Sequence, residues 1–231
     1  MSAQRSHTII AIGGLGSEDE NRALTDYVLE LRERQWPRVC FLPTAVGDDA
    51  EAIVRFYELF SGRADAWHAT LHPWPPAGLR ERLVECDLVW VSGGNTANML
   101  ALWRVHGVDA ALRAAWERGV VLAGWSAGMI CWFEAGVTDS FGPDLAGMRD
   151  GLGLLPGSAC PHYDGEELRR PVYQRLVRDG FPSGYAADDC VALRFEGRDL
   201  AEVMSARSGS RAYRLDADGE RPLDVRRLTR S

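Results

Sequence analysis

Short apolar runs alternate with longer amphipathic segments along the first half of the chain. His7–Gly14, Arg38–Ala45 and Asp87–Gly94 are apolar, rich in β-branched residues, and closed by Gly or Pro, which is typical of buried strands. Between them, Glu18–Arg34 and Ala50–Phe60 place apolar residues three or four positions apart, which predicts helices. Strands that alternate with helices in this way predict an α/β fold with a mostly parallel sheet covered by helices on both faces.

The same alternation continues as far as Arg118. We predict a further strand over Asp65–Leu71 in this part of the chain. Three further helices are predicted over Leu79–Glu85, Asn95–His106 and Val108–Arg118.

The pattern changes after the middle of the chain. Gly136–Gly157 is rich in Gly and Asp and is predicted to be mostly irregular, with a short strand at Val137–Phe141. Glu166–Arg178 is predicted to be a helix. From Gly184 onward, short apolar runs separated by the turn dipeptides E-G, S-G and D-G predict antiparallel strands at the edge of the sheet. We find no linker and no internal repeat, and we expect residues 1–231 to form a single domain.

Composition and charge exclude several classes of partner. The net charge of −7 and a pI near 5.3 argue against nucleic acid or an anionic membrane as the main partner, because both require a basic face. Met1–His7 is polar, and no apolar run approaches the roughly 18 residues of a membrane span, so neither a signal peptide nor a membrane helix is predicted. We expect a cytoplasmic protein, and a homodimer is an assembly that the sequence leaves open.

Cofactor and metal chemistry find little support. All 26 basic residues are arginine, so a lysine Schiff base, a Walker A loop and a Ser-Lys dyad are excluded. The five cysteines are widely spaced, which fits neither a disulfide framework nor a zinc knuckle. Gly13-Gly14-Leu15-Gly16 does not fit a dinucleotide loop. His68 and His72 stand four positions apart, but the prolines from Pro73 break any helix that could aim both at a metal, so we predict no metal and no cofactor.

The strongest motif lies in Val120–Glu134. Gly124–Gly128 reads G-W-S-A-G and matches the G-x-S-x-G nucleophile elbow, in which a serine projects from a sharp turn between a strand and a helix. The residues before it are apolar and β-branched, and Met129–Phe133 is predicted to continue as a buried helix. Gly124 and Gly128 leave room for the strand and helix to approach closely. Ser126 is therefore the candidate nucleophile, and the alternative is a tight turn that happens to contain a serine.

A serine nucleophile needs a base, and histidine is the usual base near neutral pH. Among the five histidines, His162 follows Ser126 on a loop stiffened by Pro161, where later strands of such a sheet return to the edge that carries the elbow. We select His162 over the alternative of a surface histidine.

A carboxylate must orient the histidine. The acidic residues between Ser126 and His162 are Glu134, Asp139, Asp144 and Asp150. Asp139 follows a short apolar strand and is the first choice, with Glu134 as the alternative acid.

Backbone N–H groups are expected to form an oxyanion hole. Ala127 follows the nucleophile at a helix N-terminus and is the first candidate donor. Gly94, in a glycine turn before a helix, is the second. The neighbouring Gly93, Asn95 and Thr96 are expected to contact the substrate.

G-G-N-T at Gly93–Thr96, G-W-S-A-G at Gly124–Gly128 and P-H at Pro161–His162, in this order, resemble the S51 serine peptidases, the peptidase E and cyanophycinase group. The resemblance implies a fold like that of class I glutamine amidotransferases, a flavodoxin-like α/β fold, and peptide hydrolysis by a Ser-His-acid triad without a cofactor. It also implies a small peptide as substrate, such as the Asp-X dipeptides that peptidase E cleaves.

The resemblance to the S51 family does not identify the catalytic acid or the residues that set substrate specificity. In peptidase E an aspartate follows the serine by slightly more than the spacing between Ser126 and Asp139, and in cyanophycinase the acid is a glutamate. An acidic substrate would need a cation, for which Arg149, Arg169 or Arg170 are candidates. The alternative functions are a glutamine amidotransferase, which would rely on a cysteine thiolate, and a catalytically silent binding or regulatory domain.

Overall fold

The computed structural model describes residues 7–32 and 34–228, so most of the polar N-terminal segment lies outside it. The described residues form two β-sheets flanked by helices. In chain order the strands are β1 (Thr8–Ile12), β2 (Arg38–Leu42), β3 (Asp65–His68), β4 (Leu88–Val91), β5 (Val121–Trp125), β6 (Phe133–Thr138), β7 (Ala146–Met148), β8 (Leu155–Cys160), β9 (Gly184–Ala187), β10 (Val191–Glu196), β11 (Asp199–Ser205), β12 (Ala212–Asp216), β13 (Gly219–Pro222) and β14 (Arg226–Arg227). The α-helices are α1 (Glu18–Glu30), α2 (Ala50–Phe60), α3 (Leu79–Val84), α4 (Thr96–His106), α5 (Val108–Glu117), α6 (Ala127–Ile130) and α7 (Arg169–Arg178).

The larger sheet has eight strands in the order β14-β11-β10-β1-β5-β4-β2-β3. Five neighbouring strands of this sheet, β1, β5, β4, β2 and β3, are parallel. On the other side of β1, the strands β10 and β11 pair in the antiparallel direction. This is the predicted mostly parallel α/β sheet with antiparallel strands from the C-terminal part of the chain.

Both faces of this sheet are buried. Consecutive residues of β1, such as Ile9 and Ile10, belong to different hydrophobic clusters. Ile10 packs in the cluster that contains residues of α1 and α2, whereas Ile9 packs in the cluster that contains residues of α3, α4 and α5. Because successive side chains point to opposite helical layers and both layers are apolar, the strands are continuous apolar runs in the sequence.

The second sheet was not predicted. Its six strands lie in the order β13-β12-β9-β8-β6-β7, with β6, β8 and β9 parallel. One side packs with α7, and the other contributes to the cluster shared with the larger sheet. The expectation that all late strands extend one sheet is therefore wrong. The dipeptide Ser208-Gly209 lies between β11 and β12, which belong to different sheets, whereas Glu196-Gly197 and Asp218-Gly219 lie at the predicted hairpins.

Two local predictions also differ from the structure. The helix after the elbow was predicted to continue to Phe133, but α6 ends at Ile130 and β6 begins at Phe133. Gly136–Gly157 was predicted to be mostly irregular with a short strand at Val137–Phe141; most of it does lie outside strands, but the strand there is β6, which spans Phe133–Thr138, and β7 and the start of β8 were not predicted. These strands are short and rich in Gly and Ala, so their stability comes from pairing and packing within the second sheet rather than from local propensity. Within the described residues, no helix combines the length and apolar character that crossing a bilayer requires.

Candidate active site

Ser126 lies in a sharp turn between β5 and α6. Its φ of 55° and ψ of −109° are rare for a residue with a side chain, and such strain is concentrated at functional positions. The Ser126 N–H donates a hydrogen bond to the Ile12 carbonyl oxygen at 3.1 Å, which ties the turn to the end of β1. The turn therefore has the strand, strained serine and helix of the predicted elbow.

The two glycines of the elbow are required by close backbone approach. A Cβ on Gly124 would lie 2.8 Å from the carbonyl oxygens of both Gly128 and Val91, and a Cβ on Gly128 would lie 2.6 Å from the Val91 oxygen. Any side chain at either position would push β5, β4 and α6 apart, which confirms the predicted steric reason for G-x-S-x-G.

His162 lies two residues after β8 and is also strained, with φ of 51°. Its N–H donates to the Gly13 carbonyl oxygen at 3.3 Å, so the loop after β8 is held against the end of β1. His162 and Ser126 line the same cleft. The structure thus brings the two predicted catalytic residues to one site, although they come from different sheets.

The carboxylate beside His162 is Asp189. His162 Nδ1 lies 2.7 Å from Asp189 Oδ1, and both side chains are about one-fifth exposed, at 23% and 22%. Asp189 follows β9, the parallel neighbour of β8. Its own N–H donates to Asp164 Oδ1 at 3.0 Å, so Asp164 positions the loop that carries Asp189.

The sequence-based choice of acid is thereby corrected. Asp139 is exposed, and Glu134, also exposed, accepts a hydrogen bond from the Gly157 N–H at 2.9 Å. Both belong to β6 or its exit, which lies on the side of β8 away from β9. After β8 the chain turns toward β1 and β9, because the His162 and Tyr163 N–H groups bond to Gly13 and Ala187 respectively.

The sequence-based prediction rested on the acidic residues between Ser126 and His162, and Asp189 lies beyond that interval. A signal did exist in the sequence. Asp188-Asp189 directly follows the first of the short strands predicted from Gly184 onward, and Ser126 and His162 lie at strand exits of the same kind.

Gly14 lies directly against the His162–Asp189 pair. A Cβ at this position would lie 1.9 Å from Asp189 Oδ1 and 2.7 Å from His162 Nδ1. The Gly14 carbonyl oxygen also accepts a hydrogen bond from the Cys190 N–H at 2.9 Å. The glycine run after β1, which does not fit a nucleotide loop, instead lets the backbone pass close to these two side chains.

Ala127 and Gly94, the predicted oxyanion donors, lie in the two turns beside the cleft. Ala127 is the first residue of α6, so its N–H has no acceptor one helical turn earlier. Gly93 and Gly94 line the cleft together with Ser126. Gly94 has φ of 126°, and a Cβ there would lie 2.3 Å from the Ala45 carbonyl oxygen, so only glycine fits.

Asn95 and Thr96 have structural roles. The Asn95 side-chain oxygen accepts from the Asn98 N–H at 2.9 Å, and its amide donates to the Ser140 carbonyl oxygen at 3.1 Å. Thr96 is buried, and its N–H donates to Ser140 Oγ at 2.9 Å. Neither residue lines the cleft, so among the three predicted substrate contacts Gly93 is the one that does.

The cleft beside Ser126 has a volume of about 860 Å³, within the usual range for small-molecule sites. It lies between the ends of the parallel strands, the start of α1 and the length of α2. Arg149, Arg169 and Arg170 do not line it. Arg149 lies over Phe181, Arg169 is buried and paired with Glu166, and Arg170 is paired with Glu220.

Within residues 7–32 and 34–228, no group of three or more His, Cys, Asp or Glu side chains is arranged to hold a metal ion. His68 Nδ1 lies 2.8 Å from the Tyr57 hydroxyl, and His72 Nδ1 lies 2.9 Å from Asp48 Oδ2. The two histidines therefore have different partners.

Solved structures share this fold. A peptidase from an acI-B1 actinobacterium superposes with a TM-score of 0.70 and 16% identity, covering 94% of each chain. A putative peptidase E protein from Listeria monocytogenes EGD-e superposes with a TM-score of 0.65 and 17% identity, covering 87% of this chain and all of the other.

Sequence relatives point to the same group. The chain is 50% identical over 211 residues to the uncharacterized peptidase YgaJ of Bacillus subtilis (strain 168), covering 90% of this chain and 91% of that one. It is 36% identical over 83 residues to peptidase E of Citrobacter koseri, covering 35% and 36% of the two chains. The family model of peptidase family S51 matches residues 8–203. With most of the chain matched by that model, the protein belongs to peptidase family S51.

Proposed function

We propose that this protein is a serine peptidase of short peptides, with Ser126 as nucleophile, His162 as general base and Asp189 as the acid that orients the histidine. The observation that carries this proposal is the 2.7 Å contact between His162 Nδ1 and Asp189 Oδ1 in the cleft that Ser126 lines. With Nδ1–H donating to the carboxylate, Nε2 is the nitrogen left to accept the serine proton.

The reaction then follows from these groups. Ser126 Oγ attacks the scissile carbonyl carbon as His162 takes its proton, and the carbonyl oxygen becomes an oxyanion. The N–H groups of Ala127 and Gly94 are the proposed donors to that oxyanion. His162 gives the proton to the leaving amine, and water hydrolyses the resulting acyl-enzyme by the same steps. No cofactor is needed.

The size of the cleft limits the length of the peptide that it can hold. A volume of about 860 Å³ suits two or three residues. Membership of peptidase family S51 supports peptide hydrolysis as the chemistry. We therefore propose dipeptides and other very short peptides as the substrate class.

The triad is tested by substitution. Ser126→Ala and His162→Ala are expected to abolish hydrolysis of a dipeptide panel, and Asp189→Asn to lower kcat by about 10³- to 10⁴-fold, because the imidazole would lose its oriented tautomer. The matched controls are Asp139→Asn and Glu134→Gln, which change exposed carboxylates remote from His162 and should leave kcat within about twofold. Circular dichroism checks that each variant is folded.

Three results would contradict the proposal in different ways. A wild-type protein inert toward the whole panel and unlabelled by a fluorophosphonate would rule out a serine peptidase and favour a silent binding domain. A severe effect of Asp139→Asn with a mild effect of Asp189→Asn would overturn the choice of acid. Ammonia release from glutamine in place of peptide hydrolysis would favour the amidotransferase alternative, although that chemistry relies on a cysteine and position 126 is serine.

A further inference from the structure

The wall of the cleft next to Ser126 is mostly apolar and aromatic. Trp125 precedes the nucleophile, and its ring lies parallel to Phe41 with centroids 6.3 Å apart and 5.7 Å from Trp90. Phe41 in turn stacks on Phe56 at 4.8 Å. The apolar side chains that line the cleft are Leu15, Phe41, Val46, Ala52, Phe56, Leu59, Trp90 and Trp125.

The aromatic wall reaches the nucleophile itself. Trp125 Nε1 and Ser126 Cβ both lie close to the space above Gly93, at 2.7 and 3.2 Å from a Cβ placed there. The edge of the indole ring is thus beside the serine side chain. A substrate side chain next to the scissile bond would meet this apolar surface, where a charged group would lose hydration without gaining a partner.

The charged side chains of the cleft carry a net negative charge. Four are acidic and two are basic: Glu18, Arg22, Asp49, Glu51, Arg55 and Glu58. Arg55 is paired with Glu51, and Arg22 lies one helical turn after Glu18 on the same face of α1, so both arginines have an acidic neighbour. Asp49 and Glu58 add further negative charge.

The N-terminus of α1 also does not present a site for an anion. Ser17 and Glu20 form a capping box, in which the Ser17 N–H donates to Glu20 Oε2 at 2.8 Å. Glu18, Asp19 and Glu20 occupy its first turn, so carboxylates already balance the positive end of the helix dipole. Glu20 is paired with Arg207 at 2.9 Å, so Glu18 is the carboxylate of this turn that lines the cleft and disfavours a second negative charge there.

The carboxylates that line the cleft, Glu18, Asp49, Glu51 and Glu58, form its acidic rim. From the aromatic wall and this acidic rim, we propose that the cleft selects short peptides that have an apolar side chain next to the scissile bond and a free α-ammonium group. Peptides with an acidic side chain at that position are disfavoured. This inference rests on the proposed function for its catalytic readout. The apolar side chain packs against the aromatic wall, and the ammonium group faces the carboxylates of α1 and α2. The chain would then differ in specificity from an Asp-X dipeptidase.

The first test compares matched dipeptides. We expect kcat/KM for Phe-Ala and Leu-Ala to exceed that for Asp-Ala and Glu-Ala at least tenfold, and N-acetylation of Phe-Ala to lower it at least fivefold. Both ratios should shrink as salt is raised from 20 to 500 mM, because salt screens exposed carboxylates. A preference for Asp-Ala or Glu-Ala that is lost in Ser126→Ala would overturn the inference while supporting the proposed function.

The second test changes the rim. The double variant Glu18→Gln with Glu58→Gln removes two exposed carboxylates of the cleft, and we expect KM for Phe-Ala to rise about threefold to tenfold, with a smaller change in kcat. The matched control is Glu117→Gln with Glu167→Gln, which removes two exposed carboxylates elsewhere and should leave KM unchanged. Equal KM in the two double variants would contradict the role of the rim.

A binding measurement separates this inference from catalysis. Titration calorimetry of the Ser126→Ala variant with Phe-Ala and Asp-Ala does not depend on turnover. Binding of Phe-Ala at least tenfold tighter than that of Asp-Ala supports the inference. This holds even if the wild-type protein hydrolyses no dipeptide, because the lack of hydrolysis would contradict only the proposed function. Equal or tighter binding of Asp-Ala would overturn the inference.

Discussion

At the scale of single residues, the candidate site depends on backbone positions that admit no side chain. Gly14 is the clearest example, because it borders the His162–Asp189 pair and its φ is not in the left-handed region. An alanine there is acceptable to the backbone, so its effect would come from collision alone.

We predict that Gly14→Ala lowers kcat by at least about a hundredfold, because the new methyl group would displace Asp189 Oδ1 and His162 Nδ1 from their contact. The control is Gly62→Ala, where no atom lies within 4 Å of the new Cβ but φ is +68°. It should cost about 1 kcal/mol of stability without affecting kcat. Steady-state kinetics and urea unfolding of both variants check this, and full activity of Gly14→Ala would mean that the pair tolerates displacement.

At the scale of elements, the segment after β6 positions the loop of Gly93 and Gly94. Ser140 Oγ accepts hydrogen bonds from the N–H groups of Thr96 and Ala97 at 2.9 and 3.3 Å, and it lies 2.7 Å from Thr138 Oγ1. The segment that was predicted to supply the catalytic acid thus caps α4, the helix that follows the proposed oxyanion donor.

We predict that Ser140→Ala lowers the free energy of unfolding by about 1 kcal/mol, as other lost helix caps do. We also expect kcat/KM to fall by about tenfold, because the start of α4 would hold Gly94 less firmly. The control is Ser61→Ala, an exposed serine at the end of α2. Loss of stability with unchanged kcat/KM would show that the cap does not position Gly94.

At the scale of the whole molecule, the site forms where the ends of strands from two sheets meet. Ser126 follows β5 and Gly14 follows β1 in the larger sheet, while His162 follows β8 and Asp189 follows β9 in the smaller one. A parallel bridge between Gly14 and Asp189 connects the two edges. The next strand after Asp189, β10, returns to the larger sheet, so the proposed acid lies on the connection between the sheets.

That connection contains a buried carboxylate with pH-dependent stability. Asp188 is 4% exposed, and burial raises its pKa to about 6, although its Oδ2 accepts a hydrogen bond from the Arg211 N–H at 2.7 Å. Its usual pKa is near 4. Because the folded protein binds this proton more tightly than the unfolded chain, the free energy of unfolding should fall as pH rises from about 4 to about 6.

We predict that Asp188→Asn removes this dependence. Relative to the wild-type protein, the variant should gain about 2–3 kcal/mol of stability between pH 4 and pH 7, since each unit of pKa difference corresponds to about 1.4 kcal/mol. Urea unfolding at several pH values measures this, with the exposed Asp144→Asn as control. A stability difference that stays constant across this pH range would contradict a buried, titrating Asp188.

The sequence alone determined the parallel α/β core and the elbow. Those features depend on local patterns, namely apolar runs with periodicity and a G-x-S-x-G turn whose glycines are required sterically. Ser126 and His162 could be selected because a serine in this turn needs a base and the chain offers few histidines.

The tertiary structure alone decided the second sheet and the partner of His162. Strands such as β6 and β8 are rich in Gly and Ala, so pairing with neighbours rather than local propensity makes them strands. Asp139 is nearer to Ser126 in sequence, but Asp189 is the carboxylate that reaches His162, because β8 and β9 are paired and the chain turns toward that side. Which strand ends meet is a property of topology, and it is not encoded in the spacing of residues along the chain.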